Sequence, residues 1–168
     1  MTPDPAPLDA DQLNAYFALM EVGSLLQHAV EQQLRTEGDL SWVQFQVLAR
    51  LTDAPDGRHR MTDLADGVVY SRSGLTYQAG LLEKNGLVTR ESDPDDERAV
   101  VVAITDAGRA LIARLLPGHV DVVRRLLFQP LRHRDLDTLS QVLGRVRDHI
   151  RATPPRSAKP RRSRGPAT

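Results

Sequence analysis

Residues 71–105 read SRSGLTYQAGLLEKNGLVTRESDPDDERAVVVAIT, and the fold is decided in this stretch. Leu75, Ala79 and Leu82 recur at i, i+4 and i+7 behind Ser71, whose hydroxyl suits the free N–H groups of a first helical turn, so the spacing predicts an amphipathic helix. At ~100° per residue the opposite face carries Ser73, Thr76, Tyr77, Gly80 and Lys84, small, hydroxylic or cationic groups that allow close approach to another surface. Asn85-Gly86 can adopt positive φ and stop the helix. A short strand then leaves from Leu87, turns through an acidic tip at residues 93–97, and returns over 99–104, where Val100, Val102 and Ile104 alternate with Ala99, Val101 and Ala103. The result is a helix followed by a β-hairpin, and the polar helix face suits a major groove.

Working outward, Thr62 is expected to cap a brief helix over 63–68 with Leu64 toward the core, which makes a helix-turn-helix with the helix from Ser71. Residues 58–61 read as a short extended piece. Ser41 opens a helix carrying Trp42, Phe45, Val47, Leu48 and Leu51, ended by Pro55-Asp56-Gly57. Before it, a long helix from Asp9 places Leu13, Tyr16, Phe17, Met20, Leu26, Val30 and Leu34 on one stripe, with an interruption expected at Gly23-Ser24. After the hairpin, Thr105 caps a long helix bearing Leu111, Ile112, Leu115, Val122, Val123, Leu126 and Leu127, in which Pro117-Gly118 is expected to make a kink or brief break. A last helix over about 135–151 is expected to bury Leu136, Leu139, Val142, Leu143, Val146 and Ile150.

The motifs Ser71-Arg72-Ser73-Gly74-Leu75-Thr76, Leu82-Glu83-Lys84-Asn85-Gly86-Leu87-Val88, and Asp96-x-Arg98 leading to Ile104-Thr105-Asp106-Ala107-Gly108 resemble the bacterial multiple-antibiotic-resistance regulators, the MarR family. The resemblance covers roughly residues 11–150. It implies a mainly α fold with a small β-hairpin wing: a winged helix-turn-helix lobe at about 41–105 and dimerisation helices at about 9–37 and 106–152. It also implies a homodimeric repressor on a pseudo-palindromic operator in double-stranded DNA. A small aromatic or anionic effector would lie between the dimerisation helices and the DNA-binding lobe, with Tyr16, Phe17, His28, Trp42, Phe45 and His119 as candidate contacts.

On the DNA side, base reading falls to Ser73, Thr76 and Tyr77, with Ser71 at the helix start and Arg72 and Lys84 suited to phosphates. Arg98 is expected to enter the narrow minor groove, held by Asp96 through a charge-assisted bond. A winged-helix module that binds protein, with incidental nucleic-acid affinity, is the competing reading. Such a module has no need of an arginine at a hairpin tip.

Composition bounds the rest. The 168 residues, 40% hydrophobic and 26% charged, allow one domain with a real core. Domain limits are expected at 9–152, between a loose N-terminus at 1–8 and a disordered basic tail at 153–168. All 22 acidic residues lie in 1–150 and six of the 22 basic residues in 151–168, so a net charge of zero divides into a negative body and a positive tail. With no cysteine, thiolate metal sites and cysteine redox switches are excluded. No apolar run spans a membrane and no leader is recognisable, so a cytoplasmic protein is expected. The frames GxxxxGK[ST], GxGxxG, HExxH and GxSxG are missing, and His28, His59, His119, His133 and His149 are not at metal-ligand spacing, so neither catalysis nor a cofactor is expected. The acidic residues 93–97 read as a solvated wing tip.

Overall fold

The first helix, α1 (Ala10–Gly38), begins where Asp9 accepts from the Gln12 amide at 2.8 Å and the Gln12 side chain returns a bond to the Asp9 amide, a reciprocal capping box. The computed structural model describes residues 6–68, 71–93 and 96–152, without the side chains of Glu97 and Arg98. The expectations for residues 1–5 and for the tail at 153–168 lie outside the described residues. Two units are distinguished, Met1–Leu127 and Phe128–Thr168.

In the first unit α1 is followed by α2 (Trp42–Asp53), β1 (Arg58–Arg60), α3 (Met61–Val68), α4 (Arg72–Lys84), β2 (Val88–Asp93), β3 (Asp96–Ile104) and α5 (Asp106–Val123). The strands form one antiparallel sheet in the order β1-β3-β2, with His59, Val102 and Arg90 in line across it. Leu34, Leu48, Leu51, Leu64, Leu75, Leu82 and Leu115 are fully buried in a single core that joins α1 through α5 to the sheet. Each such side chain contributes about 1.5–3 kcal/mol when removed from water. No helix among the described residues is long and apolar enough to cross a membrane.

Several local expectations are corrected. Helix α1 runs through Gly23-Ser24 without interruption: a Cβ at Gly23 would meet nothing, and one exposed glycine costs only about 1 kcal/mol in a helix. Helix α1 ends at Gly38, and the left-handed residue that caps it is Asp39 (φ 52°). Gly38 itself is a packing residue, since a Cβ there would lie 2.7 Å from Leu115 Cδ1. Helix α3 starts at Met61, so Thr62 stands inside it and its hydroxyl donates to Asp63 rather than capping. Helix α5 continues through Pro117 without the expected break and ends at Val123, so Leu126, which is exposed, and Leu127 fall instead in a π-helical turn at Arg124–Phe128. Around the proline α5 is pressed on α1: Gln33 donates to the Leu115 carbonyl at 3.3 Å, and a Cβ on Gly118 would fall 2.7 Å from the Gln33 amide nitrogen.

The second unit holds α6 (His133–Ala152). None of its residues is buried, contrary to the six expected. Leu136 and Leu139 are half-buried, and the other four are exposed, from Leu143 at 40% to Ile150 at 63%. A helical apolar stripe announces that a surface wants cover, and one chain alone does not supply it.

Candidate nucleic-acid interface

Two helices and a hairpin build the surface. Helix α3 buries Leu64, Ala65 and Val68, and α4 buries Leu75, Ala79 and Leu82, so the two are fixed from below by the same core. The end of α3 is closed by Arg50 of α2, whose guanidinium donates to the Gly67 carbonyl, a cation at the negative end of a helix. Gly67 leaves the room for it, because a Cβ there would stand 2.7 Å from that guanidinium. At the start of α4, Ser71 accepts from the Gly74 amide at 3.2 Å.

With one face anchored, α4 turns Arg72, Ser73, Thr76, Tyr77 and Lys84 outward, all exposed, Tyr77 by 65%. The sequence-expected reading face is therefore presented as a continuous surface. Ser71 and Thr76 have local engagements that the spacing did not disclose. The Ser71 oxygen is taken by the cap, and the Thr76 hydroxyl donates to the Arg72 carbonyl at 2.9 Å, which leaves Thr76 its oxygen lone pairs and its methyl for an outside partner.

Ion pairs tie the outer half of the wing to β1. Arg60 of β1 reaches Asp93 of β2 at 2.7 Å, and Arg58 pairs with Glu91 beside it, so both bridges cross over β3. Asp93 is only 6% exposed, which corrects the reading of residues 93–97 as a uniformly solvated tip. The register is irregular between Ser92 and Asp93, and such a bulge re-aims the strand where its pairing ends. Asp96 is exposed at the start of β3. Arg98 belongs to β3, and its side chain, with the expected Asp96–Arg98 bond, lies outside the described residues.

A cleft between α4 and the wing is lined by Arg60, Met61, Thr62, Arg72, Thr76 and Arg90 together with Ala99 and Val100. Three guanidiniums border this single groove. Of these, Arg60 and Arg90 were not singled out from sequence, nor was Glu83 of α4, whose carboxylate takes Arg90 Nε at 2.8 Å and Nη2 at 2.6 Å. The available signal was an acid in a helix's last turn and a cation seven residues on across an Asn-Gly turn. That spacing has meaning only once the turn geometry is known. The side-chain bond from Arg90, aided by its charge, holds the Glu83 carboxyl below its usual value near 4.5.

The six candidate effector contacts divide. Trp42 and Phe45 of α2 stack with ring centres 6.0 Å apart, and His119 of α5 lies 4.7 Å from Phe45 and 6.1 Å from Trp42. The Nδ1 atom of His119 is buried without a hydrogen-bond partner among the described residues, and burial pushes the His119 pKa below 6.5. Tyr16 and Phe17 pair with each other at 5.4 Å on exposed α1, and His28 is exposed.

Residues 38–99 match the sequence profile of the MarR family. The chain is similar to the HTH-type transcriptional repressor NicR of Pseudomonas putida, 30% identical over 122 residues that cover 69% of this chain and 74% of NicR. Among solved structures it resembles Sco3205, a MarR family transcriptional regulator from Streptomyces coelicolor in complex with DNA, with a TM-score of 0.84 and 31% identity over 94% of this chain and 97% of that one. It also resembles AbsC, a MarR family transcriptional regulator of the same organism, with a TM-score of 0.81 and 30% identity over 88% of this chain and 99% of that one.

Proposed function

The chain belongs to the MarR family of transcriptional regulators, and from that premise we propose that it is a cytoplasmic repressor that binds a pseudo-palindromic operator as a homodimer. The observation that carries this reading is the outward face of α4, with Ser73, Thr76 and Tyr77 exposed together beside an ion-paired wing, in a fold shared with a relative solved on DNA. Helix α4 enters the major groove with Ser73, Thr76 and Tyr77 at base edges, while Arg72 and Lys84 meet phosphates and Ser71 stands at the helix start beside them. Arg98 on β3 reaches the adjacent minor groove, with Asp96 as its partner.

Dimerisation is supported by apolar surface that one chain leaves in water: Tyr16, Phe17, Met20 and Leu25 on α1, and Val142, Leu143, Val146 and Ile150 on α6. A second copy covers such surface and matches a two-fold operator. An effector that is aromatic and carries a hydrogen-bond donor or an anionic group suits the cluster of Trp42, Phe45 and His119, where Nδ1 waits for a partner.

Binding of a duplex from upstream of the protein's own gene, measured against a scrambled duplex at one fixed salt concentration, tests the reading. Arg98→Ala is expected to weaken operator binding by more than about tenfold, since a lost base contact costs roughly 1–3 kcal/mol in each half-site. Thr76→Ala and Tyr77→Ala are expected to narrow the gap between the two duplexes. Parent-like operator binding by the Arg98 variant would transfer the wing to a protein-binding role.

A further inference from the structure

Glu83 and Arg90 join the two parts of the surface that have to meet DNA at once. Glu83 sits in the last turn of α4, Arg90 at the third position of β2, and the turn between them carries Gly86 at φ 70°. One carboxylate receives three bonds from one residue: the Arg90 backbone amide at 3.1 Å, Nε at 2.8 Å and Nη2 at 2.6 Å. Strand β2 is an edge of the sheet, so this amide points away from β3 and would otherwise be left to solvent. Paired charge and fork geometry together give an orientation, not merely an attraction. On its other side β2 is held to β1 by Arg58–Glu91 and Arg60–Asp93, so the strand is tethered from both directions.

We propose that the Glu83–Arg90 pair is a positioning element that sets the recognition helix and the wing at the mutual angle required for simultaneous major- and minor-groove contact, and thereby carries operator specificity without touching a base. The inference rests on the DNA-binding reading above and deepens it. Its strength is that charge alone argues the other way. A carboxylate beside Lys84, on the helix that faces phosphates, repels DNA, and it neutralises Arg90 in the cleft shared with Arg72 and Thr76. If electrostatics were the whole of its effect, removing Glu83 would tighten binding to every duplex. If the pair sets an angle, removing it weakens the operator complex and leaves nonspecific binding equal or tighter.

The test uses the full-length protein with Glu83→Ala, Glu83→Gln and Arg90→Lys, a duplex selected by the parent from a randomised pool, and its scrambled counterpart. Glu83→Ala is expected to lower affinity for the selected duplex about tenfold, the size of one misaligned base contact, with scrambled binding unchanged or raised. Glu83→Gln, which keeps an acceptor for the Arg90 amide, is expected to recover part of the loss. Arg90→Lys keeps the charge but not the fork, and is expected to lose selectivity with the salt slope on scrambled DNA unaltered. Amide exchange at Arg90 in the DNA-free protein reads the pair directly, and its protection should fall in Glu83→Ala. Lost protection at Arg90 with parent-like or tighter operator binding would overturn the proposal. A parent protein that selects no duplex at all would overturn the DNA-binding reading itself, a failure visible before any variant is made.

Discussion

The hydroxyl of Thr105 donates to the Gly86 carbonyl at 2.7 Å, tying the start of α5 to the turn that ends α4. The same oxygen accepts from the Gly108 amide at 3.1 Å, and the Thr105 amide donates to the Leu87 carbonyl at 3.1 Å. One short side chain thus caps a helix and closes the base of the hairpin. Thr105→Val keeps the shape and removes both hydroxyl bonds, so stability should fall by about 1–2 kcal/mol. Thr105→Ser should retain most of it, as read by the midpoint of chemical denaturation at constant slope.

Two glycines should respond oppositely to alanine. A Cβ on Gly80 would lie 3.9 Å from Arg90 Nη2, an ordinary contact on the helix surface, so Gly80→Ala should stabilise the protein by about 0.5–1 kcal/mol. A Cβ on Gly108 would lie 2.3 Å from the Leu87 carbonyl oxygen, which belongs to the backbone and cannot swing aside. Gly108→Ala should therefore destabilise by roughly 1–3 kcal/mol. Thermal unfolding of the pair against the parent decides both signs.

His119 gives a pH dependence whose direction follows from its burial against Trp42 and Phe45. Its folded pKa lies below the ordinary 6.5, so between those two values the unfolded chain binds more protons than the folded one. Its penalty is absent above 6.5 and grows as the pH falls through that value toward the folded pKa. His119→Phe removes the titration and keeps a ring in place. Melting temperatures taken from pH 8 down to about pH 5 should decline less steeply for the variant than for the parent. Parallel curves would assign the acid sensitivity to other groups.

The tail is expected to act through charge and not through reading. Deleting residues 154–168 removes five cations, so log K against log salt should become shallower, each released counterion having contributed about 0.9 to the slope. The ratio of operator to scrambled affinity should stay where it was. A changed ratio at an unchanged slope would make the tail a base-reading arm.

Local spacing was sufficient for much of this protein. The i, i+4, i+7 pattern of Leu75, Ala79 and Leu82 located the recognition helix and its buried face, and Ser41, Ser71 and Thr105 were legible as caps because a cap acts within three residues of itself. The outward positions of Arg72, Ser73, Thr76, Tyr77 and Lys84 followed from the same helical period. Spacing also overread Gly23 as an interruption, because a helix with a long run of bonds and a partner to pack on absorbs a weak residue that an isolated helix would not.

Contacts between residues far apart in the chain settled the rest. Arg60 with Asp93, Arg50 with the Gly67 carbonyl, and Trp42 and Phe45 with His119 join segments whose approach depends on how the helices pack, and no period in the sequence encodes such a meeting. Asp93 read as one more solvated carboxylate in an acidic run, and became a buried ion-pair partner only when β1 was laid two strands away from it. Glu83 and Arg90 are close in sequence, yet their pairing too required the turn at Gly86 to fold the strand back along the helix. Residue type and period set which face of an element is apolar, whereas partners are chosen by packing, which sums over many elements at once.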